Sequence, residues 1–408
     1  MGIFHREPED IFQIRSATVD ETVYVDREDL EKHLTRLVKS APNIIIRGES
    51  GCGKTWLYKR VFNKENIYYE IIDLSQAANC GMTIEKVIQN KLDKDEEYIQ
   101  TGYSTEKNAS LKIPVAEGGM VYNEEFQKNE KPLLRMYKKL KKSGKRAVLV
   151  LDNLEQIKEN EQLLSELNTM IMNVDNDDYA CFGIKLLIVG TPSGFQSFYG
   201  KARNLDTMSN RLKPLEEVEG LSLQQTRKYF EKSMIKAMKF KFDEADLDKY
   251  AKHIYRVTNG IPQRLVEYCL NLCYTIEDQN GCVIYNKIYK EADTKYLKET
   301  LDKSVEVIKR NLNSNETALQ RRNQVIYSLG KLKSSYFKTA DVENELRKIF
   351  KIDKSVSVNV SALLTELSCG DNPILSKVGD NWMFFDSQYL ATIKLMLSKK
   401  GNKVISLV

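Results

Sequence analysis

Residues 43–62 read NIIIRGESGCGKTWLYKRVF: an apolar run, a glycine-rich turn, and then a helical pattern. Gly48, Gly53, Lys54 and Thr55 supply G-x-x-x-x-G-K-T between a predicted strand and a predicted helix. Glycines let backbone N–H groups curl around phosphates at a helix N-terminus. Lys54 is expected to neutralise β- and γ-phosphate charge, and the Thr55 hydroxyl to ligate Mg²⁺. The stretch therefore predicts a P-loop that binds ATP or ADP with Mg²⁺ through Gly48, Glu49, Ser50, Gly51, Cys52, Gly53, Lys54, Thr55 and Trp56.

A hydrolytic P-loop protein needs a second acid at the end of a neighbouring strand, and VLVLD places Asp152 there, suited to hold Mg²⁺ through water. The next residue is Asn153, whose amide cannot accept a proton. Glu155 is the nearby carboxylate, and two readings of it stay open: general base, or solvent-facing loop residue with slow turnover. IKLLIVG ends at Thr191, which either reaches the γ-phosphate or water or simply turns the chain before Pro192. Arg203 and Arg211 are candidates for an arginine supplied to a neighbouring subunit, or plain surface arginines.

Strand and helix patterns alternate around these motifs, which predicts an α/β P-loop NTPase fold: a parallel sheet flanked by helices, its apolar strands buried on both faces. Residues 1–22 read as a lead-in to this fold, 23–221 as its core and about 93–131 as a polar insertion. Residues 222–298 are helical throughout and read as a lid. In 299–408 three helices precede two short strands joined at Gly379 and Asp380, and a closing helix is expected over YLATIKLMLSKK; together they predict a winged helix-turn-helix.

Composition agrees with a globular protein: 42% of residues are hydrophobic and 29% charged. No run of about 18 apolar residues exists and the N-terminus lacks a signal-peptide pattern, so a cytoplasmic protein with no membrane partner is expected. Seven cysteines without paired spacing, and three histidines, read as reduced thiols and no zinc site. From residue 301 onward 17 Lys and Arg stand against 11 Asp and Glu, a surplus that suits an anionic partner such as DNA or an ordinary soluble surface.

GESGCGKT, VLVLDNLEQ, LLIVGTPSG, NRLKPL and NGIPQRL occur in the order seen in the AAA+ ATPases, and over about residues 22–297 the chain resembles that family. The likeness is to the initiator-type branch, Orc/Cdc6 and the TniB/TnsC transposition regulators, with STAND signalling ATPases also similar. The resemblance implies that Asp26 and Arg27 of VDRED flank the adenine, Thr191 serves as sensor 1, Arg211 as arginine finger, and Arg264 after GIP as a lid arginine touching the phosphates. It also implies ATP hydrolysis and self-association through the ATPase module. Asn153 in place of the family's glutamate argues for slow hydrolysis.

The expected reading helix of the last domain, about Ser355 to Leu367, offers Ser357, Asn359 and Ser361 and no cation after Lys354; Lys377, Lys331, Lys333, Lys338, Arg321 and Arg322 could reach phosphates. Two functions follow. One is a DNA-associated ATPase switch for replication, transposition or defence against mobile DNA, acting on double-stranded DNA. The other is a STAND-like signalling or antiviral-defence switch whose winged helix contacts protein, including an effector. In a third reading ATP is purely structural.

Overall fold

The computed structural model describes residues 7–13, 18–105, 130–174, 176–201, 210–279, 285–313, 320–332 and 336–407, without the side chains of 96–105, 285, 286 and 378. The chain divides into two compact units, Asp26–Glu219 and Met1–Val25 with Gly220–Val408.

The first unit opens with α1 (Glu28–Ser40), whose apolar stripe buries Leu34 and Val38, and enters β1 (Asn43–Arg47). There follow α2 (Lys54–Lys64), β2 (Tyr68–Asp73), α3 (Leu74–Cys80), α4 (Ile84–Thr105), α5 (Pro132–Lys142), β3 (Ala147–Asp152), α6 (Glu161–Asn173), β4 (Lys185–Gly190), α7 (Pro192–Lys201) and β5 (Leu212–Pro214). The five strands form one sheet in the order β2-β3-β4-β1-β5, and all pairs are parallel. A parallel sheet needs crossover helices on both faces, and the strands obey that demand: every residue of β3 is buried. One face packs Ile45, Leu149, Leu151 and Ile188, while the other packs Ile44, Ile46, Val148 and Val150. The α/β P-loop fold expected from sequence is what the chain forms.

Three expectations need correction. The polar segment taken as an insertion from about residue 93 begins as helix: α4 runs unbroken to Thr105, carried by residues with good helix propensity. The rest of that insertion, 106–129, lies outside the described residues, as do Arg203, Cys282 and Lys333. Of the lead-in, residues 7–13 and 18–22 are described, and they group with the second unit. Ile11 and Phe12, with Val23 and Val25 after them, are buried in the core of the second unit, and at its surface Tyr274 OH donates to Glu9 Oε1 at 2.5 Å.

The second unit contains α8 (Leu223–Phe230), α9 (Glu244–Thr258), α10 (Pro262–Asp278), α11 (Tyr285–Lys295), α12 (Asp302–Asn311), α13 (Arg321–Leu329), β6 (Tyr336–Phe337), α14 (Thr339–Phe350), α15 (Val360–Glu366), β7 (Leu375–Val378), β8 (Asn381–Phe384), α16 (Gln388–Met396), β9 (Leu397–Lys400) and β10 (Lys403–Ser406). β7 and β8 pair antiparallel across Gly379 and Asp380, with β6 on the far side of β8. Trp382 and Phe384 are buried, as one-sided alternation demands. The lid and the C-terminal segment, separated in sequence at 298/299, share one apolar core running from Tyr268 and Leu272 to Leu346 and Met396. The third correction is the end of the chain. The closing helix stops at Met396, and LSKKGNKVIS folds back on itself as the β9–β10 hairpin around Gly401 and Asn402.

One lysine ties these parts of the second unit together. Lys394 on α16 donates to Arg256 O (2.8 Å) and Asn259 Oδ1 (2.5 Å), where α9 ends in a left-handed cap. Burial first, then the cations Arg264, Arg256 and Lys331, push its pKa down to about 7 from the usual 10.5. Between those values the unfolded chain holds the proton and the folded chain does not, so stability rises with pH from about 7 upward and gains nothing below it. Raising pH from 7 to 9 is expected to add about 2 kcal/mol that Lys394→Met lacks, read as the change in urea midpoint of each protein.

Candidate functional site

The sheet order sets the site. β4 lies between β1 and β3, so the chain leaving β1, the end of β3 and the end of β4 come together at the carboxyl edge of the sheet, where open α/β sheets hold ligands. Gly48 N–H donates to Gly190 O (3.3 Å), joining the P-loop to the end of β4. A side chain at Gly48 would meet Val218 O at 2.4 Å, so that position has room only for hydrogen.

The loop turns into α2 at Gly53, whose φ is 90°, and leaves the first amides of the helix facing the loop. Lys54 is buried and folds back over the loop, its ammonium donating to Gly48 O and Glu49 O at 2.8 Å each. A cation held by two carbonyls is poised to exchange them for phosphate oxygens. Arg27 stiffens the same loop. It is buried, and its guanidinium donates to Cys52 O and to Glu219 O, both at 2.8 Å. Asp26 pairs with Arg60 (2.9 Å). Cys52 is buried, and burial pushes its thiol pKa up, so it is packing and not a nucleophile.

Asp152 ends β3 beside α2. Thr55 Oγ1 donates to its Oδ2 at 3.2 Å, Tyr58 OH to the same oxygen at 3.0 Å, and the Asn153 amide to Oδ1 at 2.9 Å. Burial pushes the Asp152 pKa up, against hydrogen bonds from Tyr58, Asn153 and Thr55 and the charge of Lys54. Burial and the Asp152 charge raise the Tyr58 pKa strongly, which keeps its phenol a donor. A hydroxyl and a carboxylate side by side are the hard oxygen donors that Mg²⁺ takes. Among the described residues no group of three or more His, Cys, Asp or Glu could hold a metal by itself.

Asn153 adopts a left-handed conformation (φ 67°), and its Nδ2 donates to Asp73 Oδ1 at 2.8 Å. Asp73 ends β2 in register with Asp152 and also caps α3 through the Ser75 amide (2.9 Å). Glu155 Oε2 accepts from the Thr191 amide at 3.1 Å, and Thr191 Oγ1 accepts from the Gly194 amide at 3.3 Å. The two residues that sequence placed near the γ-phosphate thus meet each other first. Arg211 lies half-buried just before β5. Arg264 belongs to the second unit, where it is buried on α10. Glu49, Ser50, Gly51 and Trp56 lie on or just after the loop, with Ser50 the exposed one.

Tyr58 and Asp73 escaped the reading of the sequence. Each had a signal: Tyr58 follows Thr55 at i+3, on one helix face, and IYYEIID ends in an acid as VLVLD does.

Residues 36–198 match the family model of an AAA domain. Among solved structures the chain is similar to a Walker-type ATPase of Pyrococcus abyssi, with 15% identity and a TM-score of 0.55 over 94% of this chain and 99% of that one. Fainter likenesses are to the Orc2 protein of Aeropyrum pernix in its ADP form (11% identity, TM-score 0.49, 95% and 96% covered) and to Cdc6p from Pyrobaculum aerophilum (15%, 0.46, 95% and 96%). No curated protein matches the sequence. The segment that matches the AAA domain model, residues 36–198, thus carries four strands of the five-stranded parallel sheet and the P-loop between them.

Proposed function

We propose that this protein is an ATP-binding, slowly hydrolysing switch whose C-terminal part acts on double-stranded DNA. The observation that carries the nucleotide half is the convergence of Lys54, Thr55 and Asp152 at the carboxyl edge of the sheet. Lys54 exchanges the carbonyls of Gly48 and Glu49 for β- and γ-phosphate oxygens, while the amides at the start of α2 take the remaining phosphate charge. Thr55 and Asp152 are the residues that would hold Mg²⁺, and the metal would supply charge neutralisation on the phosphates. Arg27 keeps the loop in shape through the Cys52 carbonyl. Thr191, Arg211 and Arg264 act as the resemblance implies, Arg211 in a self-associated form. Hydrolysis is slow because Asn153 takes no proton.

For the DNA half, the run α13, β6, α14, α15, β7, β8 supports a winged helix, with Lys377 standing 5.5 Å from the ring of Trp382 in the wing. α15 is shorter than the sequence suggested, Val360–Glu366, and carries no cation; Arg322 pairs with its Glu366 at 3.4 Å. Phosphate contacts therefore fall to Lys377, Lys338, Lys354 and the exposed Lys400 and Lys403. The same cation-free helix favours a second reading, in which the winged helix contacts protein in a STAND-like switch and recruits an effector.

The test is ATP turnover with and without duplex DNA at about 50 and 200 mM salt. The DNA reading predicts stimulation at low salt that is lost at high salt, since several phosphate contacts cost orders of magnitude in affinity over that range. Turnover indifferent to DNA at both salts would transfer the assignment to the protein-contacting switch.

A further inference from the structure

Asn153 stands where a proton-accepting carboxylate would be expected, yet its amide has a defined direction. Its Nδ2 donates to Asp73 Oδ1 at 2.8 Å. A carboxylate only accepts, so the NH₂ end of Asn153 must face Asp73 and the carbonyl end must face the opposite way; chemistry fixes the direction of the amide. Asp73 is fixed in turn. It is the N-cap of α3, its Oδ1 accepts from the Ser75 amide at 2.9 Å, and β2 runs in register with β3 so that Asp73 and Asp152 are partners at the strand ends. The Asn153 backbone is held as well, by a left-handed conformation and an amide bond to Asp152 Oδ1. Glu155, the alternative base, has Oε2 committed to the Thr191 amide.

The geometry points to Asn153 Oδ1 as the acceptor that orients the attacking water, with Asp73 a positioning residue that sets the direction of the amide. This rests on the hydrolytic reading of the site given above. In the step itself the water oxygen bonds to the γ-phosphorus and the bond from that phosphorus to the β-bridging oxygen breaks. The water proton passes to an oxygen of the departing γ-phosphoryl group, giving ADP and dihydrogen phosphate. Asn153 accepts a hydrogen bond and no proton, and neither it nor Asp73 changes charge. Catalysis of this kind works by orientation, which phosphoryl transfer accepts because its transition state asks the protein for placement and charge, not covalent chemistry.

Asp73→Asn and Asn153→Ala test the pair, with the double variant, Glu155→Gln and Lys54→Ala alongside. An asparagine at 73 still caps α3, so the fold is expected to survive, but it can donate or accept and no longer dictates the amide direction. Each single variant is expected to lower kcat about tenfold with KM for ATP and affinity for a non-hydrolysable ATP analogue within about twofold, and the double variant to be no slower than either single. A merely structural tie would move the urea midpoint and leave kcat alone. If wild type turns over no faster than Lys54→Ala, the hydrolytic reading itself falls. If wild type turns over and both single variants match it, or only Glu155→Gln is slow, the assignment to Asn153 and Asp73 falls while the hydrolytic reading stands.

Discussion

Lys54→Ala is expected to lower ATP turnover at least 100-fold. Lys54 is the cation folded into the loop, with its ammonium on Gly48 O and Glu49 O. Removing a preorganised charge aimed at developing phosphate charge costs on the order of 10²–10³ in rate, because nothing reorganises to replace it. The fold should tolerate the change. The two carbonyls, one buried and one half-buried, lose one donor each, about 1–3 kcal/mol. A malachite-green phosphate assay on both proteins, with urea unfolding as the control, separates lost chemistry from lost folding.

The largest stability effect is expected in the second unit, at the turn between α9 and α10. Gly260 has φ +68°, and a Cβ there would stand 1.9 Å from Leu221 O and 2.9 Å from Leu221 C. Both obstacles are backbone, and Leu221 is itself bonded to this turn through its amide to Gly260 O at 2.7 Å. Gly260→Ala is expected to cost about 4 kcal/mol: roughly 1–2 for a left-handed alanine and the rest for displacing a strap that Lys394 also holds through Asn259. Gly401 offers the comparison within the same unit. Its φ is +61° with open space around it, so Gly401→Ala pays only the backbone term. Unfolding free energies of the two variants, from urea titrations, should therefore differ by about 2–3 kcal/mol.

What the sequence made legible was local. An apolar strand, a glycine turn and a helix in one window identify the P-loop, and an apolar run ending in Asp152 identifies the second acid, because period and composition sit in adjacent residues. The order in which strands pair is not local. Nothing in the chain announces that β4 lies between β1 and β3, which brings Thr191 and Glu155 together and ties Gly48 to Gly190. For the same reason Asp73 looked like an ordinary strand end until parallel register set it beside Asp152. Arg27 is placed beside the base by the resemblance alone, and nothing in the chain signals that its guanidinium also holds the Cys52 carbonyl of the loop. The β9–β10 hairpin was hidden from the sequence because YLATIKLML stays apolar through the helix end, so its helical period masks the Gly401–Asn402 turn chemistry.

Nucleotide binding at the P-loop underlies every role assigned to the site, and isothermal titration calorimetry of the wild-type protein with ATP, with and without Mg²⁺, reads it directly. One ATP per chain, bound more tightly when Mg²⁺ is present and not bound by Lys54→Ala, is the predicted result. No heat of binding from the folded wild-type protein, or binding that Lys54→Ala retains in full, would contradict it.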